Sequence, residues 1–249
     1  YMIPQIIVWG RESLRESIDI SSQEFFRRLT TASVMPTTSR PVPSDTADLF
    51  RRAIRETGAE SVVAVVVSKD VSGTVSSVEQ VMTEVDFPVH LVDTRTISLA
   101  LGLTVLKVAA ARDAGASAEE AVALARATAA DSHALFTPST LEFLRRGGRI
   151  GGARHLLGTA LNIKPILAIQ NGHVEPLENV RTRKRALDRL VEMTGELIKP
   201  GKPLHLGVVH GGVPEEAAEI ASKLERLYKP ERLLTSWIGA SIGVHVGPV

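Results

Sequence analysis

The run Val62-Val63-Ala64-Val65-Val66-Val67 is apolar at every position and is bounded by Ser61 and Ser68. A strand with one wet face alternates apolar with polar, so six apolar residues in a row require cover on both faces, as in a parallel sheet clothed by helices. Shorter runs of the same kind occur at Ile6 to Trp9, Val89 to Val92 and Ala134 to Thr137. Helix-patterned segments lie between them at Ser21 to Ala32, Ser44 to Thr57, Gly73 to Val85, Ser98 to Ala114 and Ser117 to Ala130. The helix at Ser117 opens on a capping box with Glu120. This alternation specifies an α/β fold, and residues 1–147 are expected to form an N-terminal doubly wound parallel sheet in α/β/α layers.

The texture changes after Gly147-Gly148-Arg149-Ile150-Gly151-Gly152. Ile163 to Gln170 and His173 to Pro176 flank Asn171-Gly172, a dipeptide suited to tight hairpins, so antiparallel pairing is expected there. A helix over Thr182 to Ile198, a strand over Leu204 to His210, a helix over Pro214 to Tyr228 and strands near Arg232 to Trp237 and Ser241 to Val246 follow. Residues 148–249 are therefore expected to form a C-terminal α/β domain with a mixed sheet. A chain of 249 residues has the length for two such units, since domains commonly run about 100 to 200 residues.

Charge and composition narrow the partners. Lys and Arg number 29 against 28 Asp and Glu, which leaves no overall field to draw nucleic acid or an anionic membrane. With no cysteine there is neither a disulfide nor a thiolate, which fits a reducing cytoplasm. No apolar run approaches the roughly 18 residues of a membrane span, and no signal-like segment opens the chain. Tyr1 leads straight into the strand-like Ile3 to Trp9, so a preceding strand and turn are expected upstream.

Several catalytic patterns fail on inspection. Gly239-Ala240-Ser241-Ile242-Gly243 spells a hydrolase nucleophile elbow, the basis of an alternative reading as a serine esterase using Ser241. That motif needs a strand, a sharp turn and a helix, with an acid and a His downstream; only six residues follow, none acidic, and Val244-His245-Val246 reads as strand. The Gly147 to Gly152 segment has phosphate-loop glycines, but Ala153 and Arg154 stand where Lys and Ser or Thr would serve. A small-molecule-binding regulatory protein is a second alternative. The seven His residues form no His-Glu-x-x-His array, and His205 and His210 face opposite ways along one strand, so no metal and no cofactor are expected. The basic run Arg181 to Arg185 lacks interleaved aromatics and reads as a helix face or a protein docking surface rather than a nucleic-acid patch.

What remains is a set of hydroxyl-bearing turns at strand ends, Thr37-Thr38-Ser39-Arg40-Pro41 and Ser68 to Thr74. In open α/β sheets ligands sit beyond the carboxyl ends of strands. Ser72-Gly73-Thr74 leads into a helix, where hydroxyls and free N–H groups suit an anion. The local residues leave two readings open: Ser72 as a plain helix cap, or as a cap that also binds an anion.

Seven segments in order resemble the DegV family: Thr38-Ser39-Arg40-Pro41, Val71-Ser72-Gly73-Thr74, Leu91-Val92-Asp93, Leu144 to Ile150, Ile163-Lys164-Pro165-Ile166-Leu167, Arg181-Thr182-Arg183 and Ile242 to Pro248. They span nearly the whole chain. The resemblance implies a two-domain protein that binds one long-chain fatty acid between its domains and is not itself an enzyme. It also implies a partner, a fatty-acid kinase catalytic subunit that phosphorylates the bound acid to an acyl phosphate for phospholipid synthesis. The family's ligand positions fall on Thr38, Ser39, Ser72, Gly73, Thr74, Arg149 and His245, and its docking positions on Arg181 and Arg183. A monomer that makes transient contact with a membrane is the accompanying expectation. Arg40 stands where the family usually has Gln, and Lys69-Asp70 interrupts a run usually rich in Ser.

Overall fold

The computed structural model describes residues 1–157 and 163–248. The fold is α/β, with parallel pairing in one part and antiparallel pairing in others. Strand β1 (Ile6–Trp9) is the centre of an antiparallel three-stranded sheet, flanked by β2 (Glu12–Arg15) and β3 (Thr37–Ser39), with Ile7 opposite Thr38. Between them lies α1 (Ser22–Leu29), capped by Ser21, whose hydroxyl accepts the amide of Glu24. Helix α2 (Pro43–Thr57) precedes β4 (Val62–Val66), which pairs in parallel with β5 (Val89–Asp93) across α3 (Thr74–Val81). Helices α4 (Ser98–Asp113) and α5 (Ala118–Ala130) pack against each other and beside this pair, and the capping box of Ser117 and Glu120 is formed.

Strand β6 (Leu135–Phe136) leads to α6 (Glu142–Arg146) and a 3₁₀ helix (Gly151–Leu156). The strands β7 (Lys164–Gln170) and β8 (His173–Val180) form the expected hairpin, with β6 on the outer side of β7. Asn171 and Gly172 both hold positive φ, 50° and 86°, as a primed two-residue turn requires. Then come α7 (Arg183–Leu197), β9 (His205–His210), α8 (Pro214–Tyr228), β10 (Arg232–Trp237) parallel to β9, and α9 (Ala240–Val246).

Two expectations are corrected. The strand expected near Ser241 to Val246 is the helix α9. Its alternating Ile242, Val244 and Val246 carry a strand pattern, but burial against α1 decides otherwise. A Cβ on Gly243 would lie 2.6 Å from the Phe25 ring and 2.8 Å from the Phe26 ring, so glycine is what lets α9 lie against these aromatics. A mid-helix glycine costs about 1 kcal/mol in propensity, and the close approach offsets it. Second, Thr37-Thr38-Ser39 is not a loop beyond a strand but the strand β3 itself.

The largest buried cluster gathers Ile7, Trp9, Phe25 and Phe26 with Leu144, Ile150, Leu167, Ile238 and Val244. It therefore joins the first 30 residues to the segment 238–246, and α9, which it holds in place, also packs on β3. A separate cluster of Phe50, Val66, Val78 and Val81 holds α2 and α3 against β4.

Candidate functional site

The register of β1 with β3 and the packing of α9 on α1 bring Thr38 to His245. Thr38 Oγ1 is 3.0 Å from His245 Nε2. Burial, and secondarily the positive charge of Arg149, push the imidazole down from its ordinary 6.5 to about 4, so it is neutral at physiological pH. Its Nδ1 is buried without a hydrogen-bond partner among the described residues, and it abuts Gly147, where any Cβ would collide with it. A buried N–H without an acceptor costs more than a bare lone pair against a Cα–H. The ring proton therefore belongs on Nε2, which donates to Thr38 Oγ1 and leaves the Thr38 hydroxyl proton free to donate outward.

The second turn lies alongside. An added Cβ on Gly73 would sit 3.0 Å from Arg40 Cβ, so the segment after β3 rests directly on the Ser72-Gly73-Thr74 turn. Gly73, not Ser72, is the N-cap of α3. Ser72 stands one residue earlier: its Oγ accepts the Thr74 amide at 3.3 Å and shares a hydrogen bond of 2.9 Å with Thr74 Oγ1. Thr74 Oγ1 also receives Gln5 Nε2 at 3.1 Å. The amides of Val75 and Ser76 in the first turn of α3 have no acceptor among the described residues.

Arg149 ties the two halves of this cluster. Its Nε donates to the Val71 carbonyl at 3.0 Å, just before Ser72, and its Nη1 to the Gly147 carbonyl at 2.6 Å, just beside the His245 ring. Thus Thr38, Ser72, Gly73, Thr74, Arg149 and His245 are drawn into one neighbourhood. Ser39 is exposed on β3 and makes no side-chain hydrogen bond among the described residues. Gln5 and Gly147 belong to the cluster without having been singled out from the sequence. Gln5 carries no motif, and Gly147 is hidden in a segment that looks like a phosphate loop.

An apolar cavity of about 230 Å³ shares helix α9 with this cluster and is lined by Leu135, Phe136, Leu187, Val209, Ile220 and Ile242 among others. Ile242 and Val246 of α9, four apart, share the face that lines it, while His245 is turned roughly 100° from Val246 on the same helix. The hydroxyl cluster does not itself line the cavity; α9 is the element common to both. At the cavity wall Arg183 pairs with Glu216 at 2.6 Å and donates to the Thr137 carbonyl at 2.8 Å. Arg183 is thus committed to the protein's own packing, whereas Arg181 is exposed and forms no ion pair among the described residues.

The elbow motif does stand in a strand–turn–helix setting, β10 to Gly239 to α9. Its hydroxyl is used differently: Ser241 Oγ and N both donate to the Glu16 carboxylate, at 2.8 and 3.0 Å. A carboxylate capping the first turn of a helix explains this pair, and no imidazole reaches Ser241 among the described residues. Among the described residues no three His, Cys, Asp or Glu side chains gather as metal ligands, and no helix is long and apolar enough to cross a membrane.

These features define a class, an α/β protein with a hydroxyl–imidazole cluster and an apolar cavity on adjacent faces of one short helix. A family described as "Uncharacterised protein, DegV family" matches residues 1–249, and the chain belongs to the DegV family. It is 39% identical over 247 residues to a DegV domain-containing protein of Streptomyces coelicolor, covering 99% of this chain and 87% of that one. Protein DegV of Bacillus subtilis is 32% identical over 249 residues, covering 99% and 88%. Among solved structures, the B. subtilis DegV, a fatty acid binding protein, superposes with a TM-score of 0.90 at 32% identity over 100% of this chain and 88% of that one. A DegV family protein from Thermus thermophilus, described for its fatty acid binding, gives 0.89 at 33% identity over 99% and 88%.

Proposed function

We propose that this protein binds one long-chain fatty acid and presents its carboxylate to a fatty-acid kinase catalytic subunit, acting as a carrier rather than as an enzyme. The observation that carries this reading is the Thr38–His245 hydrogen bond, a buried neutral imidazole paired with a threonine hydroxyl, on a helix whose neighbouring face lines an apolar cavity. Fatty-acid binding by the B. subtilis and T. thermophilus relatives supports it.

In this reading the carboxylate accepts from the Thr38 and Ser72 hydroxyls and from the open first turn of α3, with the Arg149 charge close by. A buried carboxylate needs such replacements for its water, and charge-assisted bonds are the stronger kind. His245 acts through Thr38 by fixing the direction of that hydroxyl. The tail runs into the cavity, whose walls come from both 1–147 (Leu135, Phe136) and 148–249 (Leu187, Val209, Ile242), in keeping with two domains that meet there. Each methylene removed from water contributes about 0.8 kcal/mol, so the tail supplies affinity and the hydroxyls supply orientation. Arg181 is the docking residue for the kinase; Arg183 supports the cavity wall instead.

Native mass spectrometry of the purified protein tests the binding. A retained mass of one fatty acid, or uptake of added palmitate or oleate at one per chain, is the expected result. A protein that stays ligand-free in both would refute it.

A further inference from the structure

The loop from Ser68 to Gly73, which carries Ser72, is gripped from a distant element. The tip of the β7–β8 hairpin, Asn171-Gly172, lies directly on it. Ser68 is fully buried; its Oγ donates to the Gly172 carbonyl at 3.0 Å and accepts the Asp70 amide at 3.2 Å. Its own carbonyl accepts the amides of Val71 and Ser72, at 3.3 and 3.1 Å, and its amide donates to the Thr96 carbonyl at 3.0 Å. One buried residue therefore links the hairpin tip to the backbone of Ser72.

A second contact runs parallel to it. Arg95 donates to the Asn171 carbonyl and reaches Asp70 Oδ2 at 3.4 Å, while His173 Nε2 stands 3.8 Å from Asp70 Oδ1. Gly172 is buried, and any Cβ there would collide with Asp70 Oδ2 and lie 2.6 Å from Ser68 Oγ. Both neighbours belong to the loop itself. The turn thus has two separate reasons for its glycine: the positive φ, and the close seating of the tip on Ser68 and Asp70.

We propose that the Asn171-Gly172 turn is a positioning element for the carboxylate site, setting the loop through Ser68 so that the Ser72 hydroxyl and the first turn of α3 face the ligand. The inference rests on the reading that Ser72 contacts a fatty-acid carboxylate. The hairpin acts through the loop and touches no ligand. Arg149, which donates to the Val71 carbonyl, adds a third hold to the clamp on the same six-residue loop.

The test is a double-mutant cycle with palmitate as the probe, comparing wild type, Gly172→Ala, Ser72→Ala and the double variant by calorimetry. Gly172→Ala is expected to weaken palmitate binding about tenfold in the wild-type background and to cost little more once Ser72 is already alanine, since coupled residues are not additive. An equal loss in both backgrounds would mean general damage and would overturn the proposal, as would unchanged affinity in a folded Gly172→Ala protein. Arg95→Ala, at a half-exposed side chain with little bearing on folding, removes the parallel contact and is expected to weaken binding a few-fold with the same dependence on Ser72; a loss that persists unchanged in the Ser72→Ala background would also count against it.

Hydrogen exchange at the Ser72 and Thr74 amides separates this proposal from the one beneath it. Faster exchange there in Gly172→Ala, with the Val92 amide unchanged, is expected with or without lipid. If the wild-type protein binds no fatty acid, the functional reading fails while the exchange still reports on the clamp; if exchange at both loop amides is unchanged, the clamp fails.

Discussion

Thr38 and His245 lie 207 positions apart in the chain and 3.0 Å apart at their Oγ1 and Nε2 atoms. The contact is local to nothing in the sequence; it exists because β3 pairs with β1 and α9 packs on α1. Replacing Thr38 with Val keeps the shape and removes the donor. The expected result is a loss of fatty-acid affinity of roughly tenfold to hundredfold, the range for a hydrogen bond to a charged group. Isothermal titration with palmitate measures it, and His245→Gln is expected to show a smaller loss because it disturbs only the direction of the hydroxyl.

Acid should unfold this protein partly through His245. Its folded pKa is depressed from 6.5 to about 4, so between those values the unfolded chain binds more protons than the folded one and stability falls as pH falls. The contribution is intact above about pH 6.5, is lost progressively down to about pH 4 and is constant below. A depression of that size corresponds to about 3 kcal/mol. Urea midpoints for wild type and His245→Gln at pH 7 and pH 4.5 check this, with the variant expected to show the shallower pH dependence.

Gly243→Ala should destabilise although alanine is the better helix former. Its methyl would press on Phe25 and Phe26 at 2.6 and 2.8 Å, and overpacking a filled core costs about 1 to 3 kcal/mol. Thermal unfolding gives the stability, and lipid retention should drop with it because α9 carries His245.

The two arginines of the basic segment should separate cleanly. Arg181→Glu is expected to leave fatty-acid binding and melting temperature near wild type while lowering acyl phosphate formation by a kinase catalytic subunit. Arg183→Ala leaves the Glu216 carboxylate without its partner at the cavity wall, so it should lower the melting temperature and lipid affinity together. Reversed effects would place docking on Arg183.

Elements whose burial follows one strong local pattern were legible in the sequence. Val62 to Val66 announced itself by continuous apolarity, Asn171-Gly172 by its turn chemistry and Pro214 to Tyr228 by its helical period. Strand β2 was not, because Glu12-Ser13-Leu14-Arg15 is an exposed edge strand with no apolar face to betray it. Helix α9 was misread because its branched residues alternate and only the aromatics of α1, more than 200 residues earlier in sequence, force the helix. Thr38, Ser72 and His245 of the candidate site stand out in the sequence as residue types. The wiring of the site does not: Gln5, the backing of His245 by Gly147 and the pairing of Arg183 with Glu216 depend on where distant elements come to rest.

Helix α9 bears both the imidazole that backs Thr38 and the side chains Ile242 and Val246 that begin the cavity wall. Seven residues of one helix cannot bring these two features closer or draw them apart. An acyl chain held at its head by this protein would therefore be counted from a fixed origin, and selection among chain lengths would fall to the cavity walls contributed by elements other than α9, such as Leu187 of α7 and Ile220 of α8.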